Sequence, residues 1–165
     1  MNVLRGRRLA LRALVPNDFA SFSEVRLRNA DWLTRWEPRR VVGQPDAAES
    51  FDAFASRCSA RQRDRQLGAG YGFGMFAGPT LVGEINLSSV IRGAFQSGHV
   101  GYWVDRAHAG QSYCPEAVVI LAKYAFDDLA LHRIQISIIP RNHASRRVVE
   151  KLGLRDEGVA VGYLQ

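Results

Sequence analysis

The sequence predicts an α/β (α+β) domain, and three observations point to it. From Gly101 to Gly158 the chain reads strand, small-residue loop, long amphipathic helix, strand, short capped helix and strand without interruption. Upstream, two apolar strand-like runs flank Gly78-Pro79 as a hairpin. No repeat, low-complexity tract or linker divides the 165 residues, so one core and one domain over 1–165 are expected.

Taken in order, Arg7 to Ala13 reads as a strand, and a helix follows from about Asn17. A second helix is announced by Asp46-Ala47-Ala48-Glu49, which has capping-box spacing, and Phe51, Phe54, Ala55 and Cys58 give it an apolar face. Between the two, Trp32 and Trp36 stand four apart, a spacing that suits core or lid packing, with contact to a substrate as the sharper alternative. Gly68-Ala69-Gly70 precedes the hairpin strands Tyr71 to Ala77 and Thr80 to Ser88. In the second strand, alternation groups Glu84 with Val82 and Asn86 on a face read as solvated.

Val100 to Val104 is the next strand, and Ala109-Gly110-Gln111-Ser112-Tyr113-Cys114-Pro115-Glu116-Ala117 leads from it into a helix. Small residues there let backbone amides close on a ligand, and the free N–H groups of a first helical turn favour an anion. Pro115 suits the first helical position. Val118, Leu121, Ala122, Ala125, Phe126 and Leu129 recur at three and four residues, so one helical face is buried. Arg133 to Ile139 alternates with period two and reads as a half-buried strand ended by Pro140. Asn142 caps a helix from about His143 to Leu152, and Gly153 supplies its left-handed stop. Gly158 to Gln165 reads as an edge strand cut short.

The runs Gly101-Tyr102-Trp103-Val104, Ala109 to Ala117, Leu131-His132-Arg133-Ile134, Pro140 to Ser145 and Glu150 to Leu154 together resemble the GNAT N-acetyltransferase superfamily. Val90 to Phe95 is similar to the RimJ/RimL branch, which acetylates N-termini of ribosomal proteins. Arg8 to Arg12 with Asp18-Phe19 resembles the family's opening strand and helix. The resemblance implies a GNAT-type, mostly antiparallel twisted sheet with a central splay, helices on both faces, and a further C-terminal strand. That strand would be missing here or supplied by another chain, as in a homodimer. The family's phosphate loop carries two glycines; Ser112 stands at the second, Cys114 at the Gly or Ala place and Ala109 at the polar lead position. Such a loop tolerates Ser112 and Cys114 where their φ values are negative.

The activity implied is acetyl transfer from acetyl-CoA to a protein N-terminal α-amine by direct attack in a ternary complex, without a metal. Acetylation of a small-molecule amine, or a CoA-binding, ribosome-associated module without catalysis, is the alternative. Residues implied for the cofactor are Trp103, Val104, Ala109, Gly110, Gln111, Ser112, Tyr113, Cys114, Asn142, Arg147 and Lys151. A backbone amide near Trp103 or Val104 would face the acetyl oxygen, where negative charge develops. An α-amine loses its proton near pH 7.7 to 8.0, so a water chain can serve as base, whereas a lysine amine near 10.4 needs more help. His99 stands where many relatives have Glu, and it or Glu84 is a candidate base; His99 reads equally as an ordinary strand residue, and for Glu84 the solvated strand face is the leading reading. Ser145 is the candidate for protonating the leaving thiolate. The acceptor side is expected at Trp32, Trp36, Asn86 and Arg92. A covalent intermediate on Cys114 is rejected, because the family transfers the acetyl group directly.

The chain carries a net charge of +6, and residues 1–65 hold 13 basic and 8 acidic side chains. Arg35, Arg39, Arg40, Arg57, Arg61, Arg63 and Arg65 belong to that excess, which leaves contact with ribosomal RNA open beside the reading of a solvated face. No run of 18 apolar residues and no secretory signal is readable, and the two cysteines have no metal-type spacing. A reduced, cytoplasmic protein is the expectation.

Overall fold

The structure, a computed structural model, describes residues 3–38 and 43–163. Arg39 and Arg40 of the basic stretch, and the end of the expected last strand at Leu164 and Gln165, lie outside the described residues. Six strands run in the order in which they occur: β1 (Leu4–Arg5), β2 (Leu9–Arg12), β3 (Tyr71–Ala77), β4 (Thr80–Ile91), β5 (Ser97–Val104) and β6 (Arg133–Gln135). All neighbours are antiparallel except β5 and β6, which are parallel. The expected single strand from Arg7 to Ala13 is a small hairpin instead. Gly6 turns the chain so that its amide donates to the Leu9 carbonyl at 2.8 Å, and Leu4 pairs with Leu11.

Two helical layers cover the sheet. On one face lie α1 (Phe19–Arg28), the single turn α2 (Ala30–Leu33) and α3 (Phe51–Gln66), with Phe22, Phe54, Phe76 and Leu81 as their buried core. On the other, α4 (Tyr113–Lys123) buries Ala117, Val118 and Leu121 against Leu9, Leu11, Met75, Val82, Ile85 and Val100, with α5 (His143–Lys151) beside it. A β-bulge at Val82, opposite the step from Met75 to Phe76, breaks the alternation of β4, so that Val82 enters the α4 core while Glu84, expected on the same face, turns toward α3.

Several local expectations are corrected. Ser50, not the Asp46 group, caps α3 by accepting from the Ala53 amide at 3.2 Å, while Asp46 holds a turn of its own through the Ala48 amide. Phe51 and Phe126 are exposed, at 51% and 44%. Phe126 sits in a wider π-helical turn, Tyr124–Asp128, which rotates it off the apolar stripe. Pro115 is the third residue of α4 rather than its first. The strand expected through Ile139 pairs only as far as Gln135, and residues 154–163 form no strand. Arg133 ties that last segment back through an ion pair to Glu157.

Candidate active site

The parallel pairing of β5 with β6 stops at His99 and Gln135, although β5 runs on to Val104. From Val100 onward, one edge of β5 therefore has no neighbouring strand among the described residues, which is the splay expected between Val104 and Arg133. At the end of that edge begins the loop. No partner is found among the described residues for the amides of Gly110, Gln111, Ser112, Tyr113 or Cys114. Gly110 has φ +78 and Ser112 φ +61, so the carbonyls turn away and the amides can converge as an anion-binding nest at the start of α4. Cys114 has the expected negative φ; Ser112 does not. The condition for tolerating a serine there fails, and its left-handed backbone is held by other bonds.

Those bonds come from outside the loop. Arg8 donates to the carbonyl oxygens of Gln111 at 2.8 Å and Ser112 at 3.4 Å, and its guanidinium lies 4.9 Å from the Tyr113 ring centre. Glu116, on the first turn of α4, accepts from the Arg8 and Leu9 amides and from the Arg8 side chain. Lys151 Nζ reaches Ser112 Oγ at 2.7 Å, so α5 delivers its terminal cation to the loop, while Arg147 is exposed on the same helix. Ala109 follows a short turn, Arg106–His108, to whose Arg106 carbonyl its amide donates. That turn is fixed by Asp105, which is 1% exposed and accepts from Arg28, from Asn29 at 2.8 Å, from the Ala107 amide, and lies 2.9 Å from His108 Nδ1. Burial alone would raise the Asp105 pKa, but these hydrogen bonds hold it well below the usual carboxylate range.

Asn142 caps α5 as expected, accepting from the Ser145 amide at 3.2 Å. Ser145 Oγ is 2.9 Å from the Tyr102 hydroxyl, which also donates to the Ser145 carbonyl. Burial pushes the Tyr102 phenol up to about 12, although Ser145 works the other way. A protonated pair, Tyr102 and Ser145, therefore lies beside the open edge. Sequence reasoning found Ser145 but not Tyr102, whose only signal was its place in Gly101-Tyr102-Trp103-Val104. Cys114 is buried and its thiol is pushed up to about 12 by that burial, which keeps it an unreactive core residue.

The opposite face of the same strands forms a polar floor beneath α3. In register, Glu84 stands against Trp103, Asn86 against Gly101 and Ser88 against His99. Glu84 is only 5% exposed, which overturns the solvated face expected for it. Its oxygens accept from Arg57 Nη2 at 2.8 Å and from the Trp103 indole at 3.0 Å, so it fixes both side chains. The Trp103 side chain thus belongs to this floor, leaving only its backbone to the open edge. Val104 is half-buried opposite Gly83. His99 is half-buried, with Nδ1 3.4 Å from the Tyr163 hydroxyl. Four residues of strand separate Ser88 from Glu84, about 14 Å at ordinary strand rise. The two candidate bases therefore occupy opposite ends of the floor.

Trp32 and Trp36 are half-buried outside both cores, flanking the Arg35 guanidinium at 5.9 and 5.7 Å. Arg92 is not brought to the floor: it donates to the Leu129 carbonyl at 2.6 Å and to Gln96, bracing the β4–β5 turn. The bonds of Arg8 and Glu116, and the arginines of α3, were missed. Arg57, Arg61 and Arg65 stand at four-residue spacing, which is one helical face, but a charged face reads by default as solvated.

A family model described as an acetyltransferase (GNAT) domain matches residues 8–155. The chain is 32% identical over 160 residues to the probable N-acetyltransferase YjcK of Bacillus subtilis, covering 96% of this chain and 86% of that protein. It is 26% identical to the [ribosomal protein uS5]-alanine N-acetyltransferase of Escherichia coli, over 95% of this chain and 80% of the relative. Among solved structures, Mycobacterium smegmatis RimJ in complex with CoA-disulfide superposes with a TM-score of 0.89 at 28% identity, covering 99% of this chain and 79% of that one.

Proposed function

This chain belongs to the GNAT acetyltransferase family and is an acyltransferase, and from that premise we propose that it transfers the acetyl group of acetyl-CoA to the N-terminal α-amine of a protein, with a ribosomal protein as acceptor. One observation carries the proposal: β5 borders both halves of the site. Its open edge beyond His99 leads to five unpartnered loop amides, and its other face, with β4, makes the polar floor under α3. An amine approaching over that floor meets the strand whose edge would take the pantetheine arm. The relatives named for acetylation of ribosomal proteins support this choice of acceptor.

The residues fit the cofactor. The nest at Gly110 to Cys114, with Lys151 beside it, would hold the diphosphate. Asn142 would face the pantetheine arm, and free groups on β5 near Trp103 and Val104 would pair with it and polarise the acetyl oxygen. The thioester supplies an activated acyl group. Tyr102 and Ser145, hydrogen-bonded to each other, would be the residues that give a proton to the leaving thiolate. An α-amine needs little help to lose its proton near neutral pH, so water over the floor would suffice, and His99, four strand residues from Trp103, would act on an amine there only through a water chain. Glu84 positions Trp103 and Arg57 within that floor.

No described helix is long and apolar enough to cross a membrane. The proposed setting is cytoplasmic, beside ribosomal proteins, where the basic excess of residues 1–65 suits a surface near ribosomal RNA. Calorimetric titration with acetyl-CoA, followed by thiol release with N-terminal peptides of ribosomal proteins, tests the reading. Binding with peptide-dependent release is expected. Binding without release from any peptide would remove the proposed activity, and release only with small amines would move the acceptor to that class.

A further inference from the structure

Arg61 is a half-buried cation of α3. It lies on the face of α3 that turns toward the sheet, one helical turn from Arg57 and one from Arg65, and its guanidinium rests over Gly72 of β3. A side chain at Gly72 would collide with it. Arg57 has Glu84 as its partner, and Arg65 donates to the Gly72 carbonyl at 3.0 Å. Arg61 has no hydrogen bond or ion pair among the described residues. Burial, and after it the neighbouring Arg57, pull its pKa below the ordinary guanidinium value, while Glu84 and Asp64 oppose the fall from a distance. A second donor close by is also unsatisfied: Arg57 Nη1 is buried without a partner.

A half-buried guanidinium without a protein partner is open to an anion that reaches it, because it has given up part of its water without gaining a counter-ion. An anion can enter through a cavity beside it. Arg61 lines a cavity of about 190 Å³ with Asp64, Gly70, Tyr71, Gly72, Asn86, Leu87 and Ser88. Asn86 and Ser88 are the middle and far end of the polar floor, opposite Gly101 and His99. Glu84 already serves Arg57 and the Trp103 indole, and Asp64, exposed at the rim of the same cavity, makes no ion pair with Arg61 among the described residues.

We propose that Arg61, with Asn86 and Ser88, forms a subsite for a carboxylate side chain at the second or third position of the acceptor peptide; this rests on the α-amine reading given above. From Glu84 to Asn86 the floor advances two residues, about 7 Å, which is also the advance of two residues in an extended peptide. An acceptor whose amine lies beside Trp103 therefore presents its second or third side chain to Arg61. The planar guanidinium fork suits a carboxylate, and the Asn86 amide adds a neutral donor. Lysine or arginine placed against the guanidinium would meet the like charge of Arg61 and be disfavoured.

The test compares two peptides that differ only in Glu or Gln at the second or third position. kcat/KM is measured for wild type, Arg61→Gln and Arg61→Lys, and calorimetry follows binding of the same peptides to each protein with CoA present. Wild type is expected to favour the acidic peptide by about tenfold or more. In Arg61→Gln that ratio collapses toward one through KM for the acidic peptide, and Arg61→Lys retains part of it. Equal use of both peptides by wild type overturns the proposal, and so does an undiminished preference in Arg61→Gln. The wild-type comparison decides even where a variant does not fold. If neither peptide is acetylated, tighter binding of the acidic one that Arg61→Gln abolishes keeps the subsite and removes the acetylation reading. Binding without charge preference removes the subsite.

Discussion

Ser112 shows how a single side chain can keep a function while breaking the local rule for it. A serine at φ +61 is strained by about 1 kcal/mol relative to glycine. The strain is offset because Arg8 holds its carbonyl and Lys151 its hydroxyl. Ser112→Gly removes the strain and loses only an exposed hydrogen bond. It is expected to raise the thermal midpoint by a few degrees, corresponding to about 0.5–1 kcal/mol, without weakening CoA binding. A lower midpoint or a clear loss of CoA affinity would show that the hydroxyl itself is needed in the loop. At the same scale, Glu84 illustrates why alternation misled. The period-two pattern placed it correctly with Asn86, but only α3 lying overhead decided that this face was covered.

At the scale of elements, the loop depends on its neighbours more than on its own sequence. β2 and α4 are clipped together by Glu116, whose carboxylate takes two backbone amides and the Arg8 guanidinium. Burial opposes ionisation of Glu116, yet those donors hold its pKa below the usual value. Glu116→Gln keeps the shape but loses the charge-assisted bonds. It is expected to cost about 1–3 kcal/mol in unfolding free energy and to weaken CoA binding several-fold, read by denaturant melts and calorimetry. An unchanged affinity at reduced stability would confine the clip to folding. Asp105 does the same work from the other side, joining α1 and α2 to the turn that precedes Ala109.

For the whole molecule, these carboxylates set the acid limit of stability. In Asp105, Asp18 and Glu116, burial raises the pKa and the hydrogen bonds overcome it, so all three stand below their unfolded values of about 3.9 to 4.3. A group depressed on folding stabilises fully above its unfolded pKa, and that stabilisation disappears as pH falls toward the folded one. The thermal midpoint is therefore expected to be nearly flat from pH 7 to about 5 and to fall steeply below about 4. Asp105→Asn would start lower and show a shallower acid slope. A midpoint independent of pH down to about 3 would contradict the linkage.

Periodicity and punctuation in the sequence determined the α4 stripe, the Asn142 cap, the hairpin at Gly78-Pro79 and the order of elements around the loop. These are local: a repeat of two or four residues and a capping side chain act within a few residues of themselves. The sequence by itself therefore determined the fold class, the family and the place of the loop. Only the tertiary structure decided that Arg8 and Lys151 would hold Ser112 in a glycine's conformation, that Tyr102 would meet Ser145, and that Arg57 and Arg61 would be half-buried over β3 and β4. Each of those is a contact between residues far apart in the chain, and its energy comes from burial and charge that exist only when two layers meet.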